Sequence, residues 1–596
     1  MKKKNKLNKG TKGTLPPKRQ FSNSKIAFVI LIFIFALLFL KKFLTPETVI
    51  YNKGLQFLIY LAIIALFGYL GWLSFSDKWN KKRVLMISIV GLVLLIGIYA
   101  LAFDPYLDQG GDSSFYTIGA ESFASLKGFR ELNEVGAPKN TWGPPMLPFL
   151  MAPIAYFLKP IDNFTGYKIF ALKMLPFFLT LFFVILCYYF LKNYLSQPIA
   201  VIITLLIATN VSIVHFSNLI LTEIPFLFFS MLSLFLLTKF EKKNTFINIY
   251  LILAGFFLVA TYWTRNIGLG FLVTSVLYFM IEKDFKRAIA LAIVMLIFFI
   301  PWQIRSMGGP SQFSLIMEVR GSLLKVMTTS FFGGLKDAIN VIPNNLFNYK
   351  IYSGGLYNNN LWIFLVIIMI AIGFIRNIIR YRSQMDLYFI AVQIPILVTS
   401  RGLPIELSRY YVVLTPLLIY YFYIGLSWTL EKLKFFAIGK EFVRVLILSV
   451  MSIMLFINLL GASDRIQSAH RSEAYPPEFS RYLETAFWAK DHTPPEALFG
   501  VRKSTMFYLF SRRHAIGYGG KKVPIVPLGS PWSIDAEKKV LDYYKAENID
   551  YIVLDCFSAS AFQLISPIIK NNLDKFTLVY TTQKPETYVF KLNKWW

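Results

Sequence analysis

VLMISIVGLVLLIGIYALAFDPYLDQGGDSS, residues 84–114, joins a long apolar run directly to an acidic loop. The apolar part matches the roughly 20 residues that a helix needs to cross the hydrocarbon core of a bilayer. Asp104, Asp108 and Asp112 follow it at once, around the helix-breaking pair Gly110-Gly111. The pattern predicts a membrane protein whose polar chemistry lies where a helix meets the membrane surface.

The composition of the whole chain places it in lipid rather than in water. Of its 596 residues, 56% are hydrophobic and 16% are charged, whereas a soluble protein carries roughly 25% charged residues. The net charge of +29 lies mostly in short segments between apolar runs and in a Lys-rich stretch, 1–25. This location predicts contact with anionic lipid and no nucleic-acid partner. The two cysteines fall on opposite sides of the predicted membrane, which excludes a disulfide framework.

Thirteen apolar runs are predicted to be membrane spans. The first run follows a basic, disordered cytoplasmic tail, 1–25, and no small-residue cleavage site follows it, so we expect it to be retained. The predicted spans are 26–44, 55–74, 84–103, 168–191, 199–216, 219–238, 246–264, 267–281, 287–302, 361–375, 386–400, 410–429 and 443–462.

The basic short loops predict the orientation of these spans. A cytoplasmic N-terminus places most of the Lys- and Arg-rich loops inside, as the positive-inside rule requires. Those loops are 77–83, 192–198, 239–245, 282–287, 376–385 and 430–442. Three long hydrophilic regions then lie outside the cytoplasm: 104–167, 303–360 and 463–596.

The predicted fold is therefore a polytopic α-helical membrane domain, 26–462, followed by a small extracytoplasmic α/β domain, 463–596. Alternating apolar residues predict strands in the second domain, and a helical period predicts a helix there. These elements are a helix near 478–491 and strands near 551–554, 577–580 and 587–592.

The first outer loop carries the residues best suited to chemistry. After Gly110-Gly111 the pattern is that of a short amphipathic helix, with Asp112 as its N-cap. A carboxylate at this surface also suits a general base that deprotonates an acceptor hydroxyl. The segment TWGPPMLPFLMAPI, 141–154, holds too many prolines for a continuous crossing helix and is predicted to wall a cavity beside Asp112.

Charged residues also stand at the outer ends of several predicted spans. Each arginine could simply extend its charged end to the membrane interface, and Glu223 could simply be a favourable charge at a helix N-terminus. Together, however, these residues could line a cavity that contains both positive and negative side chains. These residues are Glu223, Arg265, Arg401, Glu406 and Arg409. The four histidines have no ligand spacing around them, and no metal site is predicted.

The loop resembles that of GT-C fold glycosyltransferases, and more narrowly that of the dolichyl-phosphate-mannose protein mannosyltransferase superfamily, which includes the aminoarabinose transferases of lipid A. The residues that carry the resemblance are Asp112, Tyr116, Gly128, Phe129, Pro144, Pro145 and Pro148. The segments LTEIPF (221–226), YWTRN (262–266), SRYY (408–411) and NIDYIVLD (548–555) extend it along the chain. Many members have an adjacent Asp-Glu pair where this chain has Asp112-Ser113, so the base stays open between Asp104, Asp108 and Asp112.

The resemblance implies a transfer of one sugar, with inversion, from a polyprenyl-phosphate donor to a lipid, glycan or protein hydroxyl outside the cytoplasm. It implies Asp112 as the base with Glu223 in support. It assigns the donor phosphate to Arg265, Arg401 and Arg409, and a substrate cavity to Tyr116, Glu121, Trp142, Pro144 and Pro145. No nucleotide is implied and no cofactor is required, although a divalent metal ion stays open.

A multi-span transporter or flippase of a lipid-linked or polar solute is the alternative. It predicts charges in mid-membrane and internally repeated halves. The sequence instead places its acids and arginines mainly at one face and contains no repeat, which favours the transferase.

Overall fold

The computed structural model describes residues 50–75, 80–104, 106–108, 110–158, 167–242, 245, 247–309, 331–353, 355–399, 404–432, 440–470, 475–520, 531–558 and 560–593. The basic tail and the predicted span 26–44 lie outside the described residues, as does Arg401.

Helices dominate the described part of the membrane domain. In chain order they are α1 (Ile50–Ser74), α2 (Lys81–Leu101), α3 (Asp112–Ala124), α4 (Met146–Phe157), α5 (Tyr167–Leu191), α6 (Gln197–Thr209), α7 (Val211–Phe216), α8 (Glu223–Glu241), α9 (Ile249–Thr264), α10 (Gly268–Ile281), α11 (Phe285–Ser306), α12 (Phe331–Phe347), α13 (Asn360–Tyr381), α14 (Gln384–Thr399), α15 (Pro404–Tyr411), α16 (Thr415–Lys432) and α17 (Lys440–Ala469).

Within the described residues, 8 helices are long and apolar enough to cross a membrane, and each overlaps a predicted span. The predicted spans 199–216, 246–264, 267–281 and 386–400 correspond to shorter apolar helices. The polytopic helical fold is confirmed, and the count of thirteen spans stays a prediction.

The span predicted at 199–216 is interrupted at Asn210. The Asn210 side chain accepts a hydrogen bond from the backbone amide of Ser212 at 3.0 Å and donates one to the carbonyl of Asn345 at 2.9 Å. A buried amide that replaces helical hydrogen bonds in this way ends α6 and starts α7. Apolar content alone could not reveal the break, because both halves are equally hydrophobic.

Three helix ends meet at one end of the bundle. Glu223 is the first residue of α8 and Arg265 directly follows α9, and these two helices pack against each other. Arg409 lies in the short helix α15, which continues through a turn, Val412–Leu414, into α16. The apolar faces of α8 and α9 bury Ile224 and Leu258 completely. Their packing therefore brings Glu223 and Arg265 to the same level.

The C-terminal part is a small α/β unit. Its helices are α18 (Pro477–His492), α19 (Ser504–Ser511), α20 (Ile534–Ala546) and α21 (Ser566–Asn571), and its strands are β1 (Leu498–Val501), β2 (His514–Gly517), β3 (Tyr551–Leu554), β4 (Phe576–Thr581) and β5 (Tyr588–Leu592). The strand order is β2-β1-β3-β5-β4.

The sheet is mixed. Strand β1 pairs in parallel with β2 and β3, and β5 pairs antiparallel with β3 and β4. The helix near 478–491 and the three predicted strands are confirmed. Strands β1 and β2 were not predicted, because each contains a glycine and lacks the uninterrupted apolar run that marks β3. The predicted domain boundary at 463 falls within α17.

Candidate functional site

The helix that carries Asp112 begins differently from the prediction. Gly111 occupies the N-cap position with φ 95°, and Asp112 is the first residue of α3. The expectation that Asp112 caps the helix is wrong. Glycine adopts this left-handed conformation without the steric cost that a β-carbon brings, so it takes the cap position and leaves the aspartate side chain free to turn elsewhere.

The Asp112 carboxylate instead binds Arg409. Arg409 Nη1 lies 2.8 Å from Asp112 Oδ2, and the Asp112 side chain is 50% exposed. The Nε of the same guanidinium donates to Oε1 of Glu223, and Arg265 Nη1 binds that oxygen at 2.6 Å. Four charges of alternating sign therefore form one chain, which we call the Asp112–Arg265 relay: Asp112, Arg409, Glu223 and Arg265.

Burial increases from the Asp112 end of this relay to Glu223. The side chain of Arg409 is 31% exposed and that of Arg265 10%, whereas Glu223 is completely buried. A buried carboxylate is stable only when cations and hydrogen bonds compensate its lost hydration. Glu223 therefore acts as the fixed support that orients both arginines, while Asp112 is the most exposed member of the relay and Arg409 is partly exposed.

Asp104 has a closed environment. Its two carboxylate oxygens bind Lys173 Nζ at 2.6 Å and the guanidinium of Arg465. Lys173 also donates to the carbonyl of Tyr106 at 2.8 Å, and Arg465 donates to Asn218 Oδ1 at 2.6 Å. Although burial opposes ionisation, the two cations hold the pKa of Asp104 below its usual range.

Asp108 shapes the turn before α3. Its Oδ2 accepts a hydrogen bond from the backbone amide of Gly110 at 3.0 Å. Burial raises the pKa of Asp108 above its usual range. The turn contact is that of an Asx motif, so Asp108 defines the backbone that leads into Asp112.

Tyr116 lies one helical turn after Asp112 and is buried. Burial raises its pKa, and the Asp112 carboxylate adds to the rise, while Arg409 opposes it. The phenol therefore stays protonated beside the relay. Of the predicted cavity residues, Tyr116 therefore lies beside the relay.

Glu121 belongs to a different contact. It binds Lys168 Nζ at 2.7 Å and accepts two hydrogen bonds from Arg512 of the C-terminal unit, at 2.8 and 3.2 Å. Although burial opposes ionisation, Arg512 and Lys168 hold the pKa of Glu121 below its usual range. Glu121 thus lies at the contact between α3 and the C-terminal unit, and the structure does not bring it to Asp112.

Trp142 and the two prolines lie in the segment that leads into α4. Trp142 Nε1 donates to Glu131 Oε1 at 2.9 Å, and its ring lies 4.9 Å from that of Phe115 on α3. Pro145 is the residue directly before α4, and Pro144 lies one position earlier. The expectation that this segment contains no full crossing helix is confirmed, because α4 has only 12 residues.

Sequence reasoning missed the cations that hold the loop. Arg305, at the end of α11, donates to the carbonyls of Phe129 and Asn140, the latter at 2.6 Å. Lysines inside an otherwise apolar run are costly and conspicuous, so Lys168 and Lys173 could have been noticed. Their partners could not, since these lie in other parts of the chain. The missed residues are Lys168, Lys173, Arg305, Arg465 and Lys503.

Among the described residues, no group of three or more His, Cys, Asp or Glu side chains has the arrangement of a metal site. His215 is stacked on Tyr352 with ring centroids 4.6 Å apart, and Glu223 is engaged by two arginines. The relay itself consists of ion pairs between two carboxylates and two guanidinium groups.

Comparisons with known proteins concern the family and the fold of the chain. The family model described as dolichyl-phosphate-mannose-protein mannosyltransferase matches residues 150–306, a segment that includes Glu223 and Arg265 but neither Asp112 nor Arg409. No curated protein gives a significant sequence match.

Solved structures show the same fold at low identity. The oligosaccharyltransferase of Archaeoglobus fulgidus in the apo form matches with a TM-score of 0.54 and 12% identity, covering 87% of this chain and 76% of that chain. ArnT from Cupriavidus metallidurans bound to undecaprenyl phosphate matches with a TM-score of 0.53 and 11% identity, covering 84% of this chain and 97% of that one. The archaeal enzyme AglB in complex with an inhibitory peptide and a dolichol-phosphate matches with a TM-score of 0.52 and 12% identity, over 87% of this chain and 75% of that chain.

The chain therefore has the GT-C fold of these proteins, and its resemblance to the dolichyl-phosphate-mannose protein mannosyltransferases is confirmed by the family model over residues 150–306.

Proposed function

We propose that this protein is a membrane glycosyltransferase that moves a hexose or related sugar from a polyprenyl-phosphate donor to an acceptor hydroxyl outside the cytoplasm, with inversion. The donor class is supported by the family model and by the lipid phosphates named in the two structural relatives. The acceptor is a hydroxyl of a protein, lipid or glycan.

One observation carries the proposal: a half-exposed carboxylate, Asp112, is held at 2.8 Å by a guanidinium that is itself partly exposed. A general base must be reachable by the acceptor, and a phosphate-binding arginine must be reachable by the donor. Asp112 and Arg409 meet both requirements, whereas Asp104 is closed by Lys173 and Arg465.

In the proposed reaction, the acceptor oxygen attacks the anomeric carbon as its proton passes to Asp112. The bond between the anomeric carbon and the phosphate oxygen breaks, and the electron pair leaves with the polyprenyl phosphate. Arg409 neutralises the charge that grows on this leaving phosphate, since its planar fork matches two phosphate oxygens. Arg265, and Arg401 outside the described residues, are proposed to add to this field.

The relay connects the donor site to the base. In the proposed mechanism Arg409 turns from Asp112 to the donor phosphate, which leaves the Asp112 carboxylate open to the acceptor hydroxyl. Glu223 keeps hold of Arg409 and Arg265 during the exchange, so the arginines stay at the level of the site.

The test is the release of polyprenyl phosphate from radiolabelled polyprenyl-phosphate hexoses by the purified full-length protein, with membrane extract as the acceptor source. We expect turnover by the wild type and at least a hundredfold loss in Asp112→Asn, since general bases contribute about 10²–10⁴ to the rate. Asp535→Asn is the matched control, because Asp535 is 75% exposed on the C-terminal unit.

Each other outcome redirects the assignment. Turnover that Asp112→Asn leaves intact would contradict Asp112 as the base and move the role to Asp104 or Asp108. A wild type that moves labelled donor across proteoliposomes without cleaving it would contradict the transferase and support the transporter.

A further inference from the structure

The C-terminal unit touches the catalytic helix α3 at two points. Near the start of α3, Thr505 Oγ1 lies 2.7 Å from Ser114 Oγ. Two turns further along, Arg512 Nη1 binds Glu121 Oε2 at 2.8 Å. These contacts bracket helix α19, so α19 runs along α3 and is fastened to it at both ends.

Lys503 reaches the backbone turn that precedes Asp112. Its Nζ donates to the carbonyl of Gly110 at 2.9 Å. The aliphatic part of the side chain covers Gly111, since a β-carbon built on Gly111 would lie 3.6 Å from Lys503 Cδ. Gly111 has the left-handed φ of 95° that starts α3. The lysine therefore holds the peptide whose conformation sets the direction of the next residue, Asp112.

The backbone of Lys503 is anchored in the core of the C-terminal unit. The hydroxyl of Tyr482, which is completely buried, donates to the carbonyl of Lys503 at 3.1 Å and accepts from its amide at 3.1 Å. Tyr482 packs edge-on against Phe557 with ring centroids 5.5 Å apart. The backbone of Lys503 is thus anchored to a buried tyrosine, while its ammonium group contacts the Gly110 carbonyl.

We propose that Lys503 is a positioning residue for the transfer reaction: from the C-terminal unit it fixes the Gly110–Gly111 turn and thereby directs Asp112 toward Arg409 and the acceptor. This inference rests on the proposed function of Asp112. It assigns the C-terminal unit a part in the active site, beyond any role in holding an acceptor.

The experiment compares full-length Lys503→Met and Lys503→Arg with the wild type and with Lys539→Met. Lys539 is 54% exposed on α20 and pairs with Asp535 in its own helix, so it is a matched control. Amide hydrogen exchange of residues 110–118 is measured in detergent without substrate. Turnover of radiolabelled polyprenyl-phosphate hexose is then measured across pH.

We expect Lys503→Met to speed exchange in 110–118 and to lower kcat/KM by about tenfold or more at every pH tested. Lys503→Arg should restore both, because it keeps the charge and the reach. The control should match the wild type. If Lys503→Met does not fold, Lys503→Gln replaces it.

Wild-type exchange together with wild-type kcat/KM in Lys503→Met would overturn the inference while leaving the proposed function intact. If the wild type turns over no donor, the proposed function fails, and the exchange rates still decide whether Lys503 holds the turn. Unchanged exchange in that case overturns the inference as well.

Discussion

Two aspartates of the loop that follows α2, only eight positions apart, have opposite surroundings. Asp104 is enclosed by Lys173 and Arg465, and its side chain is 13% exposed. Asp112 has one arginine partner and is 50% exposed. Both are acids beside cations, so charge alone does not separate them. They differ in solvent access. The enclosed Asp104 suits a structural role, whereas the exposed Asp112 suits a part in a reaction.

The largest effect on stability is expected at Asp104. In Asp104→Asn the ammonium of Lys173, whose side chain is 1% exposed, loses its carboxylate. Breaking a buried pair by removing one partner costs about 3–5 kcal/mol, and we expect the free energy of unfolding in detergent to fall by this amount. Equal stability of Asp104→Asn and the exposed control Asp535→Asn would show that the Asp104 pair does not support the fold.

Arg409→Lys tests the exposed ion pair between Asp112 and Arg409. Lysine keeps the charge but cannot contact Asp112 and Glu223 at once with a planar fork. We expect kcat/KM to fall about ten- to hundredfold, since one hydrogen bond to a charged group is worth about 1.5–3 kcal/mol. Arg481→Lys, within a local pair on α18, should retain wild-type turnover. Full activity of Arg409→Lys would argue against a bidentate role.

The smallest effect concerns the pH dependence of the contact between α3 and the C-terminal unit. Because Arg512 and Lys168 hold the pKa of Glu121 below its ordinary 4.5, this carboxylate stabilises the fold above that pH. The contribution is lost as pH falls through the depressed pKa. We expect the free energy of unfolding to drop by about 1 kcal/mol from this group between pH 5 and pH 3. Glu121→Gln should lack that part of the drop, and an identical pH dependence in the variant would contradict the assignment.

Much of the fold could be predicted from the sequence. Long apolar runs predicted the helices because a bilayer requires them, and strand-like patterns predicted the strands at 551–554, 577–580 and 587–592. The break at Asn210 was missed because it lies within a continuous apolar run, and β1 and β2 were missed because each contains a glycine. Tertiary contacts such as that of Asn210 with Asn345 decide them.

The charged residues of the relay could be singled out from the sequence, but the contacts between them could not. The helix-end charges Glu223, Arg265 and Arg409 were found because ionisable residues beside apolar runs are conspicuous. Their order in the relay depends on packing between distant helices. The closure of Asp104 depends on Arg465, which lies 361 positions away. No local pattern could therefore show that Asp104 is enclosed and Asp112 is open.

The most direct test of the account is the transfer rate per folded molecule of Asp112→Asn and Asp104→Asn, measured side by side with polyprenyl-phosphate hexose and with the folded fraction determined for each. The account predicts that Asp112→Asn is folded and inactive, whereas the folded fraction of Asp104→Asn retains most of the wild-type rate. An active Asp112→Asn beside a folded but inactive Asp104→Asn would contradict it.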